Sequence, residues 1–390
     1  MTIISDGRGS IPEAQQPNDD EPGGFAAYWA AVSAVVGMEM RQRMRSRGWY
    51  IMLGIWLFII ALVTWLTWLS WRSQYSGGDF GYTGTHAGPG AVIFEIVLAF
   101  VLLFGLLVAP AFSANAVNGD RAGGTLAILQ VTLLTPGQIL WGKFLASWIA
   151  GLAFLVVSTP FLVFGILQGG LGAGHIFTAL LMLAVELGVV CALGVGISAL
   201  ANRPLFSIVV TYLVVAALSI GTLIAFGLGT LVSQGTVMAN QVQYKNSYSD
   251  SSGDQPLPPG ITDQNNDYAC YGTLAEQEAV RTDRVAWILA MNPFVVVADS
   301  IPYTPGSSTD YSSNGTFEMI SQAARAAQAG PSVTTPCANG KVAPSSVEQK
   351  TPLWPLGLGL QLVVAAGVVA LGWRSLRTPA GKLPQGTRVA

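Results

Sequence analysis

Charge is what this chain has least of. Lys, Arg, Asp and Glu together make up 10% of its 390 residues, against about 25% in soluble globular domains. That deficit excludes an ordinary soluble surface. A formal net charge of −2 gives no electrostatic case for nucleic acid. Histidine is scarce: His86 and His175 are the two in the chain, and they lie far apart. Cysteine occurs three times, with no C-x-x-C pair and no Cys/His cluster, so the usual metal-site spacings are excluded. The G-x-x-x-x-G-K-[ST] loop is missing too, so the chain carries no nucleotide-binding P-loop of its own. Residues 1–24 are acidic and Pro-containing; they do not form a secretory signal and read as a disordered cytosolic tail.

What the chain has in abundance is apolar length. Hydrophobic residues make up 51% and mean hydropathy is +0.50. A spanning helix needs about 20 mostly apolar residues. Six stretches qualify: 50–70, 91–112, 143–167, 175–200, 207–232 and 353–373. Strict period-2 alternation is absent, so the expected fold is an all-α polytopic membrane protein. Lys and Arg set the orientation. Placing both termini in the cytoplasm puts Arg41, Arg43, Arg45 and Arg47 before the first span on the inner side. Arg121, Lys143, Arg203, Arg374 and Arg377 join them. Most of the remaining basic residues fall in one long outer loop, which the rule discounts. Trp65, Trp68 and Trp71 form an interfacial belt at the outer end of the first span.

Residues 25–47 carry a helical stripe of Phe25, Trp29, Val32, Val36, Met40 and Met44, and end in "MRQRMRSRGW". Two readings are open, an interfacial helix or an extension of the first span. The interfacial helix is preferred, because four Arg do not belong in hydrocarbon and suit anionic lipid headgroups. Segment 233–352 is polar and long, a large extracellular insertion between the fifth and sixth spans. In it Thr273 and Glu276 have capping-box spacing. The run 285–298 is apolar, too short to span and broken at Pro293, as in a re-entrant piece. Residues 316–330 read as a short helix ending near Gly330. The stretches 245–268 and 303–315 read as flexible loop. Cys270 and Cys337 bracket these pieces. A disulfide there contributes about 4 kcal/mol in the chain-entropy account; the alternative is two free thiols. Cys191 lies in an apolar run and reads as packing.

Within the spans, Glu186 is the most unusual residue, a carboxyl near mid-membrane with either a transport or a packing role. Glu95 sits near an outer end, either interfacial or functional. Gly188, Gly194 and Gly196 suggest close helix approach in the fourth span, as do Gly221, Gly227 and Gly229 in the fifth. Pro110 and Pro160 are candidate kinks.

The stretch "NGDRAGGTLAILQVTLLTPGQILWGK" (118–143) interrupts the apolar runs. Thr135, Pro136 and Gln138 make a helix start, with Thr as cap, Pro at the first position and Gln at capping-box spacing. "GGTLAILQ" forms about two helical turns, with Leu126 and Leu129 on one face. Such an element, tied to two spans, suits docking of a cytosolic partner; the plainer reading is an ordinary loop.

The same residues resemble the signature of permease subunits of type-2 ATP-binding-cassette (ABC) transporters. Asp120 and Arg121 match its opening, Gly124, Thr125 and Leu126 its next block, and Thr135, Pro136, Gly142 and Lys143 its close. Ala122 and Gly123 depart from it, standing where the signature has an acidic and a basic residue. The span layout and "AMNPF" (290–294) resemble the family as well; the length of 233–352 does not. The resemblance implies six spans with an amphipathic helix before the first, and pairing with a second permease subunit as a homo- or heterodimer. It also implies a separate ATPase subunit, engaged through Asp120, Arg121, Gly124, Thr125, Leu126, Leu129, Thr135 and Pro136. ATP and Mg would then act on that partner, with no cofactor or catalysis on this chain. The implied setting is a bacterial plasma membrane, with export as the direction. A membrane-anchored display or assembly protein presenting 233–352 is the alternative. A secondary transporter fits less well, since it calls for more embedded charge than Glu95 and Glu186 provide.

Overall fold

The computed structural model describes residues 24–76, 90–124, 134–169, 171–245, 259–265, 267–303, 315–344, 347 and 351–377. Helix α1 (Gly24–Arg45) stops at Ser46, and α2 (Arg47–Ser76) begins at once. The two are separate helices, as preferred from the basic run. The buried face of α1 is rotated from the expected stripe. Tyr28, Val32, Val35, Glu39 and Arg43 turn inward, while Phe25, Trp29 and Met44 are exposed.

Six helices are long and apolar enough to cross a membrane: Arg47–Ser73, Gly90–Ala122, Pro136–Leu167, Ala173–Leu200, Pro204–Val232 and Trp354–Arg377. The second is α3 (Gly90–Ser113) running on through a turn into α4 (Asn118–Ala122). The others are α5 (Pro136–Leu167), α6 (Ala173–Leu200), α7 (Pro204–Val232) and α12 (Trp354–Arg377). The chain is therefore a multi-pass membrane protein. Helices α3 and α6 are the most buried and form the centre, with α2 and α7 outermost.

Small residues let the central helices meet. Gly196 of α6 and Gly372 of α12 face each other. A Cβ on Gly196 would lie 2.8 Å from Val368 Cγ1, and one on Gly372 would lie 3.0 Å from the Gly196 carbonyl. Gly188 packs under Trp148 and Gly194 against Ser113. In the fifth span the expectation fails at Gly227, which meets nothing within 4 Å. Helix α7 carries instead a feature not foreseen, a π turn over Ala217–Gly221. The Asn292 amide fills it, donating to the Ser219 carbonyl at 2.6 Å and to Thr222 Oγ1 at 2.9 Å.

The all-α expectation needs correction. A three-stranded antiparallel sheet, order β1-β3-β2, stands between the fifth and sixth spans. Its strands are β1 (Gln234–Tyr244), β2 (Ile261–Gln264) and β3 (Tyr268–Val280). Thr273 and Glu276 lie in β3 and cap no helix; Glu276 pairs with Met238 and accepts from Thr236 Oγ1 at 2.9 Å. Strand β2 also occupies part of the stretch read as loop, while 246–258 and 304–314 fall outside the described residues. The alternation was hidden because both faces of this sheet are largely polar or half exposed, so one face does not stand out as apolar.

Cys270 of β3 is bonded to Cys337, 67 positions on, with Cα atoms 5.4 Å apart. The segment so held adds a rung to β1: Asn240 N–H donates to the Cys337 carbonyl and Asn339 N–H to the Met238 carbonyl. Beyond the sheet come α8 (Ala286–Ala290) and α9 (Pro293–Ser300), broken at Asn292-Pro293 as expected. Then follow α10 (Thr316–Ala329), ending at Gly330, and α11 (Pro331–Thr334).

Candidate functional site: the polar clasp around 118–143

The interrupting stretch is the most heavily knotted polar region at its end of the bundle. Lys143, in the second turn of α5, is only 2% exposed. A lone buried ammonium is costly. Here it pairs with two carboxylates, Asp120 of α4 and Glu39 of α1. Gly142 beside it gives α1 room, since a Cβ there would lie 2.6 Å from Val35 Cγ1. One helical turn on from Glu39, Arg43 reaches the Phe112 carbonyl at 3.4 Å and stands 4.9 Å over the Phe112 ring. Burial pushes the Arg43 guanidinium below its ordinary pKa, and Glu39 acts against that shift. Arg41, Arg45 and Arg47 are exposed, so Arg43 alone of the four turns inward.

Arg121 works on another helix. Its guanidinium donates to the Ala201 carbonyl at 2.8 Å and the Ala199 carbonyl at 3.4 Å, at the C-terminus of α6. That is where a cation is most favourable. Ser198 accepts from the Val117 and Asn118 N–H groups, each at 3.1 Å, and so fixes the start of α4. After α4 the chain turns at Gly124, whose φ of +72° disfavours any side chain. On the far side, Thr135 and Gln138 form the expected capping box, with Pro136 at the first position of α5. Thr125, Leu126 and Leu129, and with them most of the expected short helix, lie outside the described residues.

The clasp thus brings together Asp120, Arg121, Lys143 and Arg43, with Thr135 and Pro136 at its edge. Sequence reasoning missed Glu39 and Ser198. The signal for Glu39 was an acid four residues before Arg43, on the helix face that proves to be buried.

The intramembrane candidates lie elsewhere. Glu186 is fully buried in α6, with neither oxygen in hydrogen-bond geometry among the described residues; Gln361 of α12 is the side chain it interacts with. Gln361 in turn donates to the Met291 carbonyl at 3.0 Å, beside Asn292. Glu95 is at the opposite end of α3 from Asp120 and is buried. It accepts from the Phe317 and Glu318 N–H groups at 2.7 and 3.4 Å, capping α10, and His175 Nε2 lies 3.3 Å away. Burial and Glu95 together push the Glu318 carboxyl up. Asp299 was not foreseen. Wholly buried, it binds Arg325 at 2.8 Å and accepts from the Leu353 and Trp354 N–H groups where α12 begins.

No curated protein matches the chain. A family model described as ABC-2 family transporter protein matches residues 33–252, which take in α1 from residue 33 onward, the first five spans and the whole clasp. A multi-pass chain matched over more than half its length, with Asp120 and Lys143 of the motif paired in one polar clasp, belongs to the ABC-2 family of transporter proteins and is a membrane component of such a transporter.

Proposed function

We propose that this chain is the permease subunit of an ABC exporter, forming the translocation path as a dimer with a second permease subunit. Family membership implies an ATPase subunit as partner. In this reading the segment 118–135 is the coupling element, and ATP and Mg act on the partner. Both termini are then cytoplasmic, and the sheet and short helices of 233–352 face outward across a bacterial plasma membrane. One observation carries the coupling role: both flanks of 125–133 are anchored to other helices. Asp120 and Lys143 tie them to α1, and Arg121 ties them to α6. A push on that segment therefore reaches three elements at once. Glu186, a carboxyl buried in α6 beside Gln361 of α12, is a candidate lining residue of the path.

The test is to tag the chain, solubilise it mildly from its own host and identify what co-purifies. We expect a subunit carrying a P-loop sequence, lost when Gly124–Leu126 is replaced. Recovery of the chain alone, or only with extracellular partners, under conditions that preserve complexes would favour a display role for 233–352.

A further inference from the structure

On one flank of the bundle, α1, α5, α6 and α12 enclose an open-sided groove of about 930 Å³. Its walls are almost wholly apolar, including Phe144 and Trp148 of α5, Val189 and Ala192 of α6, and Ala366 and Val369 of α12. Its volume falls in the range of ligand sites, roughly 300–1,000 Å³. The mouth is different. Tyr28, Thr135, Trp373 and Arg377 gather there. Gly137 has no side chain to block them: a Cβ on it would lie 3.1 Å from Tyr28 Oη and 3.7 Å from Trp373 Nε1. Arg377 stands 3.9 Å over the Trp373 ring and has no acidic partner among the described residues. Tyr28 Oη and Trp373 Nε1 donate to no described group either.

We infer that this groove holds a phospholipid with an anionic headgroup, one acyl chain lying along α12 and the phosphate at Arg377. The charge is complementary, since the mouth offers a cation and three N–H or O–H donors and no carboxylate. Position agrees as well. The mouth lies at the terminus of a spanning helix, where phosphate sits in a bilayer, and the walls continue into the apolar length of the same helices. The inference needs the membrane setting alone and is independent of ATPase coupling.

Native mass spectrometry of the delipidated full chain, titrated with dioleoyl phosphatidylglycerol or dioleoyl phosphatidylcholine, tests it. The wild type should retain one phosphatidylglycerol per chain, with phosphatidylcholine about tenfold weaker, because its choline ammonium offsets the phosphate charge and is repelled by Arg377. Arg377→Gln should abolish that preference. Ala366→Trp and Ala370→Trp fill the groove from exposed positions and should remove retention of either lipid. Inorganic phosphate alone should not compete. Equal retention of both lipids by the wild type would overturn the inference, as would unchanged retention in both Trp variants. Displacement by inorganic phosphate would reassign the mouth to a free anion. A chain dimer that dissociates in the Trp variants, with lipid retention unchanged, would reassign the groove to a second copy.

Discussion

Lys143 shows how one residue's identity follows from its neighbours. With Asp120 and Glu39 on either side, a cation is the only residue type that neutralises two carboxylates drawn together by α1 and α4. Removing it strands both, and breaking a buried pair from one side costs about 3–5 kcal/mol. Lys143→Met should therefore lower the midpoint of thermal unfolding in detergent well below that of Glu39→Gln, which leaves Asp120 to pair with Lys143. The triple change Glu39→Gln, Asp120→Asn, Lys143→Met should recover part of the loss, since no unpaired charge is left. If the triple variant falls as far as Lys143→Met alone, the clasp is held by packing rather than by charge. Glu318 makes a second case. A carboxyl whose folded pKa is raised favours the folded state below that range and opposes it as pH rises through it. Glu318→Gln should raise the unfolding midpoint near pH 7 and leave it almost unchanged near pH 4. A gain equal at both pH values would show that the change acts through packing.

Among the elements, the six spans were legible because hydrocarbon imposes one requirement on every residue of a span: be apolar for about 20 positions. The helix start at Thr135-Pro136 and the break at Pro293 were legible because capping and Pro chemistry act within a few residues. The sheet was not. Its strands sit in a polar segment with both faces largely in reach of solvent, so no one-sided pattern marks them, and the pairing of β1 with β3 joins residues 24 to 46 positions apart. The π turn of α7 was equally hidden, because its partner Asn292 lies some 70 positions on. Of the site, the motif residues could be named and their clasp could not, since Glu39 and Ser198 belong to other elements. The crossing of α6 and α12 yields its own prediction. Gly372→Leu should cost about 1–3 kcal/mol by overpacking against Gly196 and Ala199. Gly367→Leu, at a position with nothing within 4 Å, should cost far less. Equal midpoints for the two in thermal unfolding would mean that α12 shifts aside without penalty.

For the whole molecule, the two ends of the bundle are built differently. One end is held by ion pairs around Lys143, the other by Glu95, Asp299 and the Cys270–Cys337 bond. Replacing both cysteines with Ser should lower the stability of the sheet by about 4 kcal/mol on the chain-entropy account and leave the spans unaffected. Limited proteolysis should then cut within 233–352 while the spans stay intact; cleavage spreading into the spans would show the two parts to be one cooperative unit. The second span joins these ends. Through α3, the turn at 114–117 and α4, it grips α10 by Glu95 and the clasp by Asp120. Those two carboxylates are roughly 37 Å apart along the axis at 1.5 Å per residue. Were the span to tilt as one body by about 5°, its far end would travel about 3 Å at that length. That travel is as large as the 2.7 Å hydrogen bond that keeps α10 seated.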